Sequence, residues 1–298
     1  MISVFGSTNM DLVAYVPTAP KLGETVTGRV FRTVPGGKGA NQAIAASRAG
    51  ADVAFLGAVG DDSFGVALRA TLVEAGVDVS VLRQVQGPSG IAHIVVEDSG
   101  ANSIIVVPGA NGTVRGPSDD DLELIAGSSA VLLQLELPME AVVGAARAAK
   151  GSGAPVILTP APAQPLPDEL LDAVTLIVPN EHEAAAITGL DDLGKALDAL
   201  LERVPEAVIT LGSEGALYGS RDGVRLRVPA VPVKAVDTTA AGDTFVGALA
   251  VARSEGMAPE QALRFASTAA SISVQREGAS TSMPTRAEID EALASASG

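Results

Sequence analysis

The sequence has no cysteine and no tryptophan, only two histidines, and just 3% aromatic residues in a chain of 298. Without cysteine there is no disulfide frame, thiol nucleophile or Cys-type zinc site. Two histidines, His93 and His182, argue against a histidine-based metal site and against a histidine-dependent triad. Basic residues are also scarce: 20 Lys and Arg stand against 35 Asp and Glu, a formal charge of −15. That balance disfavours nucleic acid and anionic membranes as partners. It keeps the chain in solution, and it means that local fields must capture any anionic ligand. No apolar run reaches membrane-spanning length. The first residues, MISVFGSTNMD, turn polar after five positions and lack a charged leading region. No signal peptide is expected, and the expected location is the cytoplasm. Familiar phosphate and nucleophile motifs are missing too. PGGKGAN puts Gly39 after Lys38, where a P-loop needs Ser or Thr. No G-x-G-x-x-G follows the first strand, and there is no G-x-S-x-G elbow.

What remains is an aliphatic chain, 47% hydrophobic, with a regular alternation. Short Val/Ile/Leu-rich runs recur: ISVFG, DVAFLG, AVLLQLE, PVILTP, TLIVPN and AVITLG. Between most of them lie stretches with helical spacing, as at 40–49, 64–75, 139–150, 182–188 and 193–204. From Thr239 the chain reads mostly helical, over 245–254, 259–274 and 287–295. Strands alternating with helices predict a mainly parallel sheet covered on both faces. Two regions break the pattern. Segments 13–16 and 26–34 read as strands with no helix between them. Segments 90–97 and 102–107 read as another pair, joined by the turn-prone EDSGA. These four predict a small separate sheet. IAHIVVE is apolar on both alternating faces, which implies two covers, the active site and a partner subunit. The alternative is a strand inside the main core.

Several short stretches carry residues suited to chemistry. DTTAAGDTF begins at Asp237. Small residues before a helix leave backbone N–H groups bare, and such groups attract anions. Asp243 stands directly behind them. A carboxylate there cannot help bind phosphate, but it can take the proton from a hydroxyl that attacks phosphate. PGGKGANQA opens a helix, with Gly36 and Gly37 permitting close backbone approach and Lys38 and Asn41 near its start. In GSTNMDL, Asn9 and Asp11 share a face of an extended segment and suit two neighbouring hydroxyls; a capped turn is the plainer alternative. In PNEHEAA, Asn180 and Glu183 form an ordinary capping pair, or alternatively hold a hydrated Mg²⁺. ITLGSEGA is a strand followed by a Gly- and Ser-rich turn that suits a flat ring or a phosphate. Asp237 and the closing QREGASTS offer one carboxylate with carbonyls and hydroxyls. That set suits a large monovalent cation better than Mg²⁺, the alternative being that Asp237 caps a turn.

In order along the chain, GSTNMD, GETVTG, PGGKGANQA, VGDD, QLELP, TPAPA, PNEHEA, TLGSEG, VDTTAAGDTF and REGASTS resemble the ribokinase-like (PfkB) family of carbohydrate kinases. The resemblance implies one α/β domain over 1–298: a three-layer sandwich with a mainly parallel central sheet. A small β lid, built from about 12–34 and 90–107, would clasp a second copy in a homodimer. It implies ATP-dependent transfer of the γ-phosphoryl group to a sugar, with the 5-hydroxyl of ribose as the expected acceptor. Asp243 would be the base, and Ala240, Ala241 and Gly242 would supply anion-hole amides. Asn9, Asp11, Gly37, Lys38, Asn41 and Glu136 would contact the sugar, with Ala92 and Val106 packing on it from the lid. Asn180 and Glu183 would belong to the nucleotide and magnesium network, Glu183 acting through water. Thr210, Gly212, Ser213 and Gly215 would form the ATP loop. Ser267 would stand near the adenine, where the family often carries His or Asn. Asp237, Thr239, Ser273, Arg276, Gly278 and Ser282 would surround a monovalent cation, usually K⁺, with Arg276 acting through its carbonyl. Fructose, another pentose or a nucleoside are alternative acceptors; the few aromatics available to stack a base disfavour the last. A sugar-binding protein without catalysis is a further alternative, which the intact Lys38 and D-T-x-A-A-G-D loop speak against.

Overall fold

The computed structural model describes residues 1–296. Among them, eight strands form the main sheet: β1 (Ile2–Phe5), β4 (Val53–Leu56), β9 (Ala130–Leu133), β10 (Val156–Leu158), β11 (Leu176–Ile177), β12 (Glu206–Thr210), β13 (Ala216–Ser220) and β14 (Arg225–Val228). Their order is β14-β13-β12-β11-β10-β9-β1-β4. The six from β4 to β12 run parallel, and β13 and β14 add an antiparallel edge. That edge hairpin is absent from the alternation read above, because ALYGS and RLRV are short and carry polar residues.

Successive side chains of the parallel strands enter two aliphatic cores. Val4, Phe55, Leu132 and Ile157 face one core. It is completed by α1 (Lys38–Arg48), α2 (Ser63–Glu74), α8 (Ala241–Ser254), α9 (Pro259–Ser273) and α10 (Arg286–Ala296). Phe5, Leu56, Leu133 and Leu158 face the other. There they meet α3 (Asp119–Ala126), α4 (Met139–Ser152), α5 (Asp168–Leu171), α6 (Glu181–Thr188) and α7 (Leu193–Arg203). Strands buried on both faces are expected to be near-continuously apolar, as these are.

A second sheet has four strands in the order β3-β2-β7-β8: β2 (Asn9–Val16), β3 (Val30–Gly36), β7 (Gly90–Glu97) and β8 (Asn102–Val107). IAHIVVE therefore lies outside the main core. The strand predicted over 26–34 starts only at Val30; just ahead of it the Arg29 amide donates to the Tyr15 carbonyl of β2 at 2.8 Å. A small pair, β5 (Ala58–Gly60) with β6 (Arg83–Val85), lies beside the root of this sheet. Among the described residues no helix is long and apolar enough to cross a membrane.

Candidate active site

The chemistry-bearing residues collect at the carboxyl ends of the parallel strands. Asn9 and Asp11 follow β1, Glu136 follows β9, Asn180 follows β11 and Thr210 ends β12. β1 has β4 on one side and β9 on the other, so the chain changes winding direction there. Open α/β sheets bind ligands at such a switch point.

Three positions of the second sheet stand in one cross-strand row, Asp11 opposite Ala92 and Ala92 opposite Val106. They share a face over this crevice, with Ala92 buried and Val106 half exposed. Gly36 lets the Asp11 carboxylate lie against the β3 backbone, since a Cβ there would come within 2.6 Å of Oδ2. Among the described residues none donates a hydrogen bond to the Asp11 carboxylate. Burial and the nearby Glu136 charge raise its pKa to about 7, with Lys38 acting in the opposite sense. A desolvated carboxylate without donors is poised for hydroxyls that a ligand supplies. Asn9 is held by a residue that the sequence did not reveal, the buried Asn111. Asn111 donates to Asn9 Oδ1 at 2.7 Å and to the Thr8 carbonyl at 3.0 Å, and accepts from the Thr8 amide at 3.2 Å. The Asn9 oxygen is thereby taken, which leaves its amide nitrogen to serve a ligand.

Helix α1 starts without a side-chain cap of its own. Glu136 Oε2 accepts from the Lys38 amide at 2.9 Å and from the Ser7 hydroxyl, and Ser7 Oγ accepts from the Gly39 amide at 3.4 Å. Gly37, at φ 94°, allows the approach: a Cβ would come within 2.7 Å of Thr8 Cα. The glycines of PGGKGAN thus bring backbone against backbone, and the first amides of α1 are satisfied within the protein. Burial pulls the Lys38 pKa down, but the charges of Asp243, Glu136, Glu183 and Asp11 outweigh it and leave it above the usual lysine value. Four carboxylates thus share one ammonium.

Asp243 lies in the first turn of α8, buried. Asn41 Nδ2 donates to its Oδ2 and Gln42 Nε2 to its Oδ1, both at 3.1 Å. Burial pushes its pKa up, while Lys38 and the two amides pull it down. Ala240, before the helix, has φ 57° and ψ 17°, the one non-glycine residue with positive φ among the described residues. This left-handed turn costs about 1–2 kcal/mol and rotates successive amides toward one side, as in an anion nest. The amides do not contribute alike. Ala241 N–H donates to the Thr238 carbonyl at 3.2 Å, whereas Ala240, Gly242 and Asp243 have no acceptor among the described residues.

Beside this turn opens a cavity of about 500 Å³, lined by Thr210, Gly212, Ser213, Gly215, Ala241, Gly242 and Ser267. Its remaining walls, among them Ala230, Val231, Pro232, Val233, Phe245 and Val274, are mainly apolar and carry no motif. Such a lining suits a planar ring with phosphates reaching toward α8. The Ser267 hydroxyl is buried in this wall without a partner among the described residues. A larger cavity of about 620 Å³ under α5, α6 and α7 is lined by none of these chemistry-bearing residues.

The arrangement matches known proteins over its whole length. The pfkB family carbohydrate kinase profile matches residues 1–286. The chain belongs to the pfkB family of carbohydrate kinases. Within this family it is similar to the ribokinase of Bacillus subtilis, 45% identical over 98% of this chain and 99% of that one. The deoxyribokinase of Salmonella typhi is 35% identical over 98% of each chain. The solved structure of Arabidopsis thaliana ribokinase complexed with ribose and ATP superposes with a TM-score of 0.92 at 37% identity, covering 98% of both chains.

The remaining residues expected from the pfkB resemblance fall into two groups. Asn180 caps α6 reciprocally with Glu183: Glu183 N–H donates to Asn180 Oδ1 at 2.8 Å, and Asn180 N–H to Glu183 Oε2 at 2.9 Å. Asn180 also bridges to Thr210, which places the pair at the mouth of the nucleotide-sized cavity. Burial raises the Glu183 pKa, the Asn180 amide and Lys38 lower it, and Asp243 raises it further. Asp237, Thr239 and Gly278 form the second group. Asp237 Oδ1 accepts from the Thr239 amide (2.9 Å) and hydroxyl (2.6 Å), and Oδ2 from the Gly278 amide (2.9 Å). Ser273 and Ser282 share a hydrogen bond of 2.7 Å, and Thr244 of α8 reaches Ser273 at 3.4 Å. The Arg276 side chain is held by Glu288 at 2.6 Å. Both Asp237 oxygens thus tie the turn at Thr239 to the Gly278 backbone.

Proposed function

We propose that this chain is a ribokinase, which transfers the γ-phosphoryl group of ATP to the 5-hydroxyl of ribose. One observation carries the reading: a buried carboxylate, Asp243, shares the first turn of α8 with backbone amides that lack acceptors, between the Asp11–Asn9 crevice and the 500 Å³ cavity. The ribokinase names of relatives at similar length, and the ribose and ATP of a structural neighbour, support the choice of substrates.

In this reading Asn9, Asp11, Gly37, Lys38, Asn41 and Glu136 hold the sugar, and Ala92 and Val106 cover it. Asp243 takes the proton of the 5-hydroxyl as that oxygen bonds to the γ-phosphorus. The bond from the γ-phosphorus to the β,γ-bridging oxygen breaks, and ADP leaves. The Ala240, Gly242 and Asp243 amides, rather than that of Ala241, stabilise the charge on the phosphoryl oxygens. Thr210, Gly212, Ser213, Gly215 and Ser267 hold the nucleotide.

Positive charge in the site is scarce, with one lysine among four carboxylates. Among the described residues no three Asp, Glu or His side chains are grouped to hold a metal. Mg²⁺ would arrive with ATP and neutralise phosphate charge, and Glu183 and Asn180 would hold its water shell. A K⁺ ion among carbonyls of the Asp237, Thr239, Ser273, Arg276, Gly278 and Ser282 segments would keep the neighbouring turn in shape. The lid strands expose Phe31, Ile104, Ile105 and Val107. An apolar patch of this kind suits a second copy of the chain, giving a homodimer clasped through the lid.

The test is kcat/KM with Mg-ATP across a sugar panel. Ribose should exceed fructose, other pentoses, nucleosides and the 2-deoxyribose suggested by the deoxyribokinase relative by at least about ten-fold, the factor that about 1.4 kcal/mol of differential binding produces. A better substrate among the others would replace ribose, and no turnover with any sugar would leave a binding protein.

A further inference from the structure

Asp243 sits at one end of a buried chain of amides. Gln42, fully buried on α1, donates Nε2 to Asp243 Oδ1 and to Thr159 Oγ1, each at 3.1 Å. Its Oε1 accepts from Gln134 Nε2 at 2.7 Å. Gln134 is buried just past β9, in space that exists because residue 6 is glycine: a Cβ there would come within 2.2 Å of Gln134 Oε1. The close contact of α1 with α8 depends on a second glycine. A Cβ on Gly247 would come within 2.6 Å of Ala45 Cβ and 2.8 Å of the Gln42 carbonyl. A carboxylate offers only acceptors, so Gln42 must turn its nitrogen toward Asp243 and its oxygen toward Gln134. Polar groups placed this deep in an aliphatic core are costly unless they are hydrogen-bonded, which ties Gln42, Thr159, Gln134 and Asp243 to one another.

We propose that Gln42, oriented by Gln134 and Thr159, is a positioning residue that holds the Asp243 carboxylate in the rotamer from which it meets the acceptor hydroxyl. The proposal rests on the reading of Asp243 as the base. Gln42 takes Oδ1 and Asn41 takes Oδ2, so the carboxylate cannot rotate without breaking two hydrogen bonds. Both bonds also favour its charged form, against the burial that raises its pKa. The other charged groups facing it are Lys38 on α1, Glu136 after β9 and Glu183 on α6, with Asp11 of the lid sheet acting on Lys38. All of them remain when Gln42 is changed.

The experiment is the pH profile of kcat at saturating Mg-ATP and ribose for wild type, Gln42→Met, Gln134→Met and Asp243→Asn. With substrates saturating, changes in Asp11 that weaken ribose binding drop out of the profile. Gln42→Met should move the acid limb up by about one to two pH units, the scale on which a hydrogen bond to a charged group sets its acidity. It should lower kcat at pH 7 by about ten-fold or more, while the KM for ribose stays within about two-fold. Gln134→Met should move the limb in the same direction by less, and it carries the test alone if Gln42→Met does not fold. Asp243→Asn should have almost no turnover. Retained turnover in Asp243→Asn overturns the base assignment and the proposal with it. An inactive Asp243→Asn together with an unmoved acid limb in both glutamine variants overturns the positioning role alone.

Discussion

Replacing Asp11 with asparagine should make the free enzyme more stable and a poorer ribose binder. The folded protein raises the Asp11 pKa from 3.8 to about 7, through burial and then Glu136. A difference of about three units corresponds to about 4 kcal/mol between the protonated and charged forms. The sign follows from proton linkage. The folded state holds this proton more tightly than the unfolded chain does. Stability therefore falls as pH rises from about 4 through 7, and the full penalty is present above 7. Water at the open mouth of the crevice screens part of it. We expect Asp11→Asn to gain about 1–3 kcal/mol at pH 8 and distinctly less at pH 5.5, as the linkage relation requires. Ribose affinity should fall by about ten-fold or more, because a hydroxyl loses its charged acceptor, while ATP affinity changes little. Urea denaturation of the ligand-free protein at the two pH values, with calorimetric titration of ribose and of ATP, reads both effects. A variant less stable than wild type at pH 8, a gain independent of pH, or equal losses for both ligands would refute this account of Asp11.

Two further expectations concern the ion and the lid. Exchanging K⁺ for Li⁺ at fixed ionic strength should lower kcat several-fold. Asp237→Ala, which frees Thr239 from Gly278, should leave a slow enzyme indifferent to the ion; equal wild-type turnover in both salts would contradict a cation role. At micromolar concentration the protein should sediment near twice its chain mass, and Ile105→Asp, at a position 67% exposed on the lid, should return it to a monomer. A wild-type monomer over that range would remove the clasp.

Much of the architecture was legible because strands buried on both faces must be continuously apolar and the helices between them must show one apolar stripe. The edge hairpin β13–β14 escaped because RLRV alternates arginine with aliphatic residues and LYGS ends in Gly and Ser, so neither is the continuously apolar run that marks the parallel strands. The position of Asp243 behind a small-residue turn was legible from DTTAAGDTF, since bare amides beside a carboxylate are unusual in one short motif. What the sequence could not display was long-range partnership. Asn111 meets Asn9 across 102 residues, Gln134 meets Gln42 across 92, and Ser7 reaches Glu136 across 129. Nothing local in GAN, QLE or GST marks them. The apolar walls at 230–233 and Phe245 were equally silent, because an aliphatic surface for a ring has the same composition as any core. The glycines of PGGKGAN carried a further ambiguity: close approach was readable, but not that the approaching partner is Thr8 of the same chain rather than a ligand.

The central claim is that this site moves a phosphoryl group from ATP to the primary hydroxyl of ribose. Phosphorus NMR of the product formed from Mg-ATP and ribose tests it most directly. The account predicts ADP and one sugar phosphate in equal amounts, its phosphorus coupled to the two methylene protons at C5. A phosphorus coupled to the single anomeric proton, or ADP released with inorganic phosphate and unchanged ribose, would contradict it.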